Sequence, residues 1–209
     1  MLKVGLTGNI GSGKSLVSEI FTIFGVPVYH ADQESKKFLS DSVVKEKILS
    51  LFGENVLSAS GEIDPVALAT IVFSDEKALS ALDSILHPMV IADFTHWCEA
   101  FSEYPYIIQE AAIIFESGVA RLFDKIIHVS CPKEIAIERV MKRDGIDGNS
   151  VLQRMNFQME DAEKASLSDF VIRNDGSEMI IPQVLSIHRQ LSEIGTQGND
   201  QVASRAADT

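Results

Sequence analysis

The sequence predicts an α/β fold: a parallel sheet with helices on both faces and a long helical insertion. Three observations carry this. Short apolar runs alternate along the chain with stretches of helical periodicity. The first apolar run ends in a glycine cluster that opens a helix. Residues 33–101 are patterned as helix almost throughout, which is too long for one crossover between strands and requires an inserted helical subdomain.

The elements follow in order. Residues 2–7 form an apolar run of strand length. Over 15–24, Leu16, Val17, Ile20, Phe21, Ile23 and Phe24 recur at helical spacing, and Gly25 and Pro27 stop the helix. Residues 26–29 read as a second strand, after which Asp32 is placed to cap the next helix. Inside the insertion, Asp64-Pro65 is an N-cap followed by an N1 proline. Ser74 is placed to cap a long helix reaching about Phe101, with an interruption at His87-Pro88. Residues 106–108 and 125–130 read as strands, and 133–143 as a helix. Ser150 and Gln153 form a capping box that opens another helix. A last strand at 170–172 runs into the turn Asn174-Asp175-Gly176. Residues 178–194 are helical, with Pro182 bending or delaying the start. Residues 195–209 have little to bury and are expected to lack fixed structure.

Composition excludes several classes. The 209 residues are 45% hydrophobic and 23% charged, which suits a soluble globular chain and not a disordered one. No uncharged apolar run approaches the ~20 residues of a membrane helix, and the N-terminus carries no secretory signal pattern, so a cytoplasmic protein without a membrane partner is expected. Cys98 and Cys131 stand far apart without metal-ligand spacing, which argues for free thiols and against a zinc site or disulfide framework. The net charge of −12 makes nucleic acid an unsuitable partner. That charge is uneven: residues 121–164 sum to zero, and the first 120 residues contain no arginine, whereas Arg121, Arg139, Arg143 and Arg154 all fall in this segment. The segment is either a solvated mixed-charge helical face or an element that handles anions.

The chemistry sits at the glycine cluster. Gly8-Asn9-Ile10-Gly11-Ser12-Gly13-Lys14-Ser15 matches G-x-x-x-x-G-K-[ST], between a predicted strand and a predicted helix, the context that marks a P-loop. Glycines let successive backbone N–H groups point into one concavity, and the helix N-terminus adds positive potential. Lys14 is placed to reach the β- and γ-phosphates and Ser15 to hold Mg²⁺. GTPase motifs are missing: no D-x-x-G occurs, and Asn174-Asp175 lies in no N-K-x-D. The chain is short for a motor or transporter ATPase. What remains is a P-loop kinase core (1–32, 102–132 and 166–194) with an acceptor-binding insertion (33–101) and an arginine-bearing lid (133–165).

Further segments make the chain resemble the dephospho-coenzyme A kinase family over about residues 3–176. These are the run from Gly5 to Leu16; Val26-Pro27-Val28-Tyr29-His30-Ala31-Asp32; Leu82, Ile85, His87-Pro88 and Val90; Glu110 and Ala112-Ile113-Ile114-Phe115-Glu116 with Gly118; Cys131-Pro132-Lys133-Glu134; Arg139 and Arg143-Asp144-Gly145; Arg154 and Gln158; and Ser168 to Gly176. The chain departs from the family pattern at Leu16 (threonine), His30 and Glu110 (aspartates) and Ala112 (proline). Asn9 also stands where the family start has glycine.

The resemblance implies ATP-dependent phosphorylation of the ribose 3′-hydroxyl of dephospho-coenzyme A, the last step of coenzyme A biosynthesis, by a monomer or small homo-oligomer with Mg²⁺. It implies ATP contacts from Gly11, Ser12, Gly13, Lys14, Ser15, Leu16, Arg139 and Asn174. Lys14, Asp32 and Arg139 are the expected catalytic residues, and Asp32, His87 and Glu116 the expected substrate contacts. Each has a plainer alternative: Asp32 as a helix cap, His87 as part of a helix break, Glu116 as a buried hydrogen-bonded carboxylate, Arg139 and Arg143 as partners of Glu138 or Asp144. On the residues alone, a nucleoside or nucleotide kinase and a non-catalytic nucleotide-binding switch also stay open.

Overall fold

The computed structural model describes residues 1–207. In chain order the elements are β1 (Leu2–Thr7), α1 (Lys14–Ile23), β2 (Val28–His30), α2 (Ala31–Lys37), α3 (Ser42–Phe52), α4 (Pro65–Val72), α5 (Glu76–Glu99), β3 (Tyr106–Glu110), β4 (Lys125–Ser130), α6 (Lys133–Asp144), α7 (Gly148–Met155), α8 (Asp161–Leu167), β5 (Phe170–Arg173) and α9 (Ile180–Ala207).

The strands form one sheet in the order β2-β3-β1-β4-β5. β1 runs parallel to β3 and β4, with Val4 opposite Ile108 and Lys125, and β4 runs parallel to β5. Alternation along the strands sorts the side chains to two faces. Val4, Leu6, Ile108, Ile127, Val129 and Ile172 form one core with Val17, Ile20 and Phe21 of α1 and Val184, Ile187 and Leu191 of α9. Each such side chain contributes about 1.5–3 kcal/mol when fully buried. On the other face, Gly5 meets Ile114 and Phe123, and Asp161 of α8 accepts hydrogen bonds from His128 and Ser130 of β4. Burial pushes the Asp161 carboxyl up, but those two bonds outweigh it and hold the group below its usual range. The parallel sheet covered on both faces is the architecture the sequence predicts.

The chain divides into two units, Met1–Tyr29 with the chain from Cys98 onward, and His30–Trp97. The second unit has its own core of Leu39, Val44, Ile48, Val56, Ile63, Leu68, Val72, Leu82 and Leu86. Its α3 and α4 start on side-chain caps: Asp41 accepts from the Val43 and Val44 amides, and Asp64 from Val66, with Pro65 in the first turn as expected.

The structure moves several boundaries. α2 begins at Ala31 with His30 at its N-cap, so Asp32 lies in the first turn and is not the cap. α5 is capped by Asp75, which accepts from the Lys77 amide; the Ser74 hydroxyl instead donates back to Ile71. Pro88 lies inside α5 without ending it, although it supplies no N–H to the Ser84 carbonyl. α7 starts on Asp147, whose carboxylate accepts from the Asn149 and Ser150 amides, so Ser150 sits in the first turn where a capping residue was expected. α9 continues to Ala207, beyond the predicted 194, with Gly195 buried against the Pro105 backbone. Asp208 and Thr209, part of the tail expected to lack structure, lie outside the described residues. No described helix is long and apolar enough to cross a membrane.

Candidate active site

β1 delivers the chain to the glycine-rich loop, and Gly13 is the N-cap of α1 in the left-handed conformation (φ 95°, ψ 23°). Two close approaches explain the glycines. A Cβ on Gly13 would strike Asn174 Nδ2, and one on Gly11 (φ 80°) would strike the Ala136 carbonyl and approach Val140 Cγ2 to 2.9 Å. Both glycines have positive φ, where an L-residue is also strained. Lys14 and Ser15 therefore open α1 directly after a bend that only glycine accommodates.

The loop faces α6 across a cleft of about 190 Å³ lined by Gly11, Gly13, Lys14, Ser15, Arg139 and Arg143. That volume is below the roughly 300–1,000 Å³ of a whole small-molecule pocket and fits the phosphate end of a nucleotide. Helical spacing explains the lining. Ala136 and Val140 pack on Gly11, and the adjacent face presents Arg139 and Arg143, four residues apart. Three cations thus converge beside a helix N-terminus, in a protein of net charge −12.

The Arg139 guanidinium bonds to two uncharged side chains and not to Glu138 or Asp144. Nη1 donates to Cys131 Sγ at 3.3 Å and Nη2 to Asn174 Oδ1 at 3.4 Å. Asn174 in turn donates from Nδ2 to the Ser12 carbonyl at 2.7 Å. Its amide is buried and spent inside the protein, between the P-loop and the arginine, where the sequence reading expected an ATP contact. Burial pushes the Cys131 thiol up, against the pull of Arg139, which suits an inert thiol. Arg143 follows its plainer alternative, forking onto Asp144 at 2.6 and 3.0 Å while still lining the cleft. That pairing holds Asp144 below its usual range.

Glu116 is engaged within the protein. Oε1 accepts from the Met159 amide at 2.9 Å and from Lys164 Nζ at 2.7 Å. These are the partners of its plainer alternative, a hydrogen-bonded carboxylate, and the side chain stays 17% exposed. Its Oε2 is buried without a hydrogen-bond partner, as are Asn9 Oδ1 and Ser12 Oγ. The P-loop is braced by the same segment: Asn9 Nδ2 donates to the Met159 carbonyl at 3.1 Å, and the Ile10 amide to Gln158 Oε1 at 2.9 Å.

Asp32 and His87 belong to the other unit. Asp32 is exposed in the first turn of α2. His87 lies mid-way along α5, with Nε2 3.5 Å from Asp83 Oδ1 one turn earlier. Burial pushes the Asp83 carboxyl up against the opposing effect of His87. Leu16 is half exposed on α1. Sequence reasoning missed the bracing role of Asn9 and the burial of Lys164. Asn9 was visible as a departure from the family glycine, whereas nothing in the pattern singles out Lys164.

No group of three or more His, Cys, Asp or Glu among the described residues forms a metal cage. Ser15 offers one exposed hydroxyl at the cleft. This donor set suits Mg²⁺, which keeps its waters and binds largely through substrate phosphates.

Comparison with known proteins agrees with this geometry. A family model described as dephospho-CoA kinase matches residues 2–179. A dephospho-CoA kinase of Bacteroides fragilis is 40% identical over 187 residues, covering 89% of this chain and 91% of that protein. Among solved structures, TT1252 from Thermus thermophilus superposes with a TM-score of 0.79 at 32% identity, covering 90% of this chain and 96% of that one. A dephospho-CoA kinase from Campylobacter jejuni gives 0.65 at 27% identity, covering 91% and 97%.

Proposed function

Because the chain belongs to the dephospho-CoA kinase family, we propose that it transfers the γ-phosphate of ATP to the ribose 3′-hydroxyl of dephospho-coenzyme A, giving coenzyme A and ADP. The observation that carries the reading is the convergence of Lys14, Ser15 and Arg139 on one phosphate-sized cleft at the N-terminus of α1.

Phosphoryl transfer asks a protein mainly for positioning and charge neutralisation. Backbone amides of the P-loop and Lys14 take the β- and γ-phosphates. Ser15 would hold Mg²⁺, which would neutralise phosphate charge when bound. The 3′-hydroxyl oxygen attacks the γ-phosphorus, the bond to the β–γ bridging oxygen breaks, and ADP leaves. Asp32 orients that hydroxyl and accepts its proton, and Arg139 stabilises the charge spread over the transferring group. His87 has a structural or substrate-positioning role and takes no part in the chemistry. Asn174 and Glu116 serve the site from behind, through Arg139 and Met159. Both substrates are soluble nucleotides, which fits a reaction in the cytoplasm.

The acceptor is the testable part. A unit as large as His30–Trp97 gives remote binding energy something to act through, since contacts to the pantetheine arm and pyrophosphate fix the reacting ribose. At fixed Mg·ATP, kcat/KM for dephospho-coenzyme A should exceed that for AMP or adenosine by at least ~10²-fold, equivalent to about 2.7 kcal/mol. Equal efficiency on AMP would make the enzyme a nucleotide kinase, and ATP binding without transfer to any acceptor would make it a switch.

A further inference from the structure

Lys164 is wholly buried, and the chemistry above does not use it. A buried ammonium costs several kcal/mol unless it is paired and hydrogen-bonded. Its partners form the wall behind the phosphate cleft. Nζ lies 2.7 Å from Glu116 Oε1 and donates to the Ala112 carbonyl at 2.8 Å. The Thr7 hydroxyl, at the end of β1, donates to the same carbonyl at 3.2 Å. The same Glu116 oxygen accepts from the Met159 amide, and residues 158 and 159 hold Ile10 and Asn9. One ammonium therefore joins three chain segments: the loop after β3, the link between α7 and α8, and the P-loop. Burial pushes the Lys164 ammonium down in pKa, Glu116 opposes this, and the like charge of Lys14 adds to the lowering.

We propose that Lys164 is a positioning residue for the nucleotide, holding Glu116 and the 158–159 backbone so that the P-loop keeps its phosphate-binding shape. The proposal rests on the kinase reading for the identity of the ligand and on the geometry for everything else. A lysine that only balanced Glu116 would affect folding and leave nucleotide affinity alone.

The test uses Mg·AMP-PNP, a non-hydrolysable ATP analogue, measured by calorimetry on the full chain. This binding needs no acceptor, so it stands even if dephospho-coenzyme A proves not to be the substrate. In Lys164→Met, Kd for Mg·AMP-PNP and KM for ATP should rise about 10-fold or more, while KM for the acceptor stays within about twofold. Lys164→Arg should retain part of the affinity. The double variant Lys164→Met/Glu116→Gln removes both charges and leaves no unpaired ion. It should recover thermal stability without recovering nucleotide affinity, and it keeps the test available if the single variant does not fold. Wild-type affinity in folded Lys164→Met, or recovery of affinity together with stability in the double variant, would overturn the proposal.

Discussion

Asn174→Ala separates a residue that builds the site from one that touches the ligand. Asn174 is 7% exposed, and its Nδ2–H donates to the Ser12 carbonyl, 162 residues away in the chain. Removing it leaves that buried acceptor without a donor, which costs about 1–3 kcal/mol. Arg139 loses the weaker of its two bonds, at 3.4 Å, and its guanidinium sits at a cleft where water can replace the partner. The loss is therefore set by Ser12, at about 2 kcal/mol. In a chain of this size each kcal/mol shifts Tm by about 2–4 °C, so nucleotide-free protein should melt ~4–8 °C lower. KM for ATP should rise as well, because the loop and Arg139 lose their common anchor. Asn174→Asp sharpens the test. It keeps an acceptor for Arg139 but turns a carboxylate oxygen toward the Ser12 carbonyl, so it should be at least as destabilising as alanine. Thermal melts with and without Mg·ATP, alongside steady-state kinetics, read both effects. If either variant lost ATP affinity but melted like wild type without nucleotide, Asn174 would act on the nucleotide itself and the bridging argument would be refuted.

Two further outcomes are expected. Asp32→Asn should lower kcat by ~10²–10⁴-fold with a much smaller change in KM for ATP; because His30 and not Asp32 caps α2, stability should fall by about 1 kcal/mol or less, and melts beside initial rates distinguish this from a structural loss. His188 Nδ1 lies 2.6 Å from the Tyr106 hydroxyl, and burial first, then Arg189, holds the imidazole below its usual value, so the unfolded chain takes up its proton more readily than the folded one. The contribution of His188 is thus present above its unfolded pKa of about 6.5 and lost as pH falls through the lowered folded value; Tm should drop from pH 7.5 to 5.5 in wild type, and less in His188→Gln, an equal drop in both counting against this account.

What the sequence revealed depended on how local the cause was. The P-loop was legible because its physics is written in consecutive residues: Gly11 and Gly13 sit where a Cβ would collide, and Lys14 and Ser15 open the helix. The strands were legible from apolar runs. Helix starts were less so, because Asp41, Asp75 and Asp147 compete with nearby serines, and the winner is set by the backbone entering the helix. Pro88 was read as a break because propensity scores a lost hydrogen bond and a clash. Leu82 and Leu86 on one side and Val90 and Phe94 on the other are buried, and that burial keeps α5 continuous. The braces were illegible for a different reason. Asn174 to Ser12, Gln158 to Ile10 and Lys164 to Glu116 join positions 48 to 162 residues apart, and no periodicity reports such pairs.

The charge distribution follows from the same geometry. A net charge of −12 repels nucleotides at long range, but at physiological salt that field decays over about 8 Å. What a triphosphate meets at contact is the local set: Lys14, Arg139 and Arg143 around the cleft, and the amides at the start of α1. Of these cations, Arg143 is already paired to an exposed carboxylate, Asp144. Arg139 is held by a thiol and an amide, neither of which is ionised in the folded site, so its positive charge is oriented without being cancelled. A carboxylate in the place of Cys131 or Asn174 would fix the guanidinium more tightly and neutralise it. Neutral partners hold it in position and leave its charge for the phosphate.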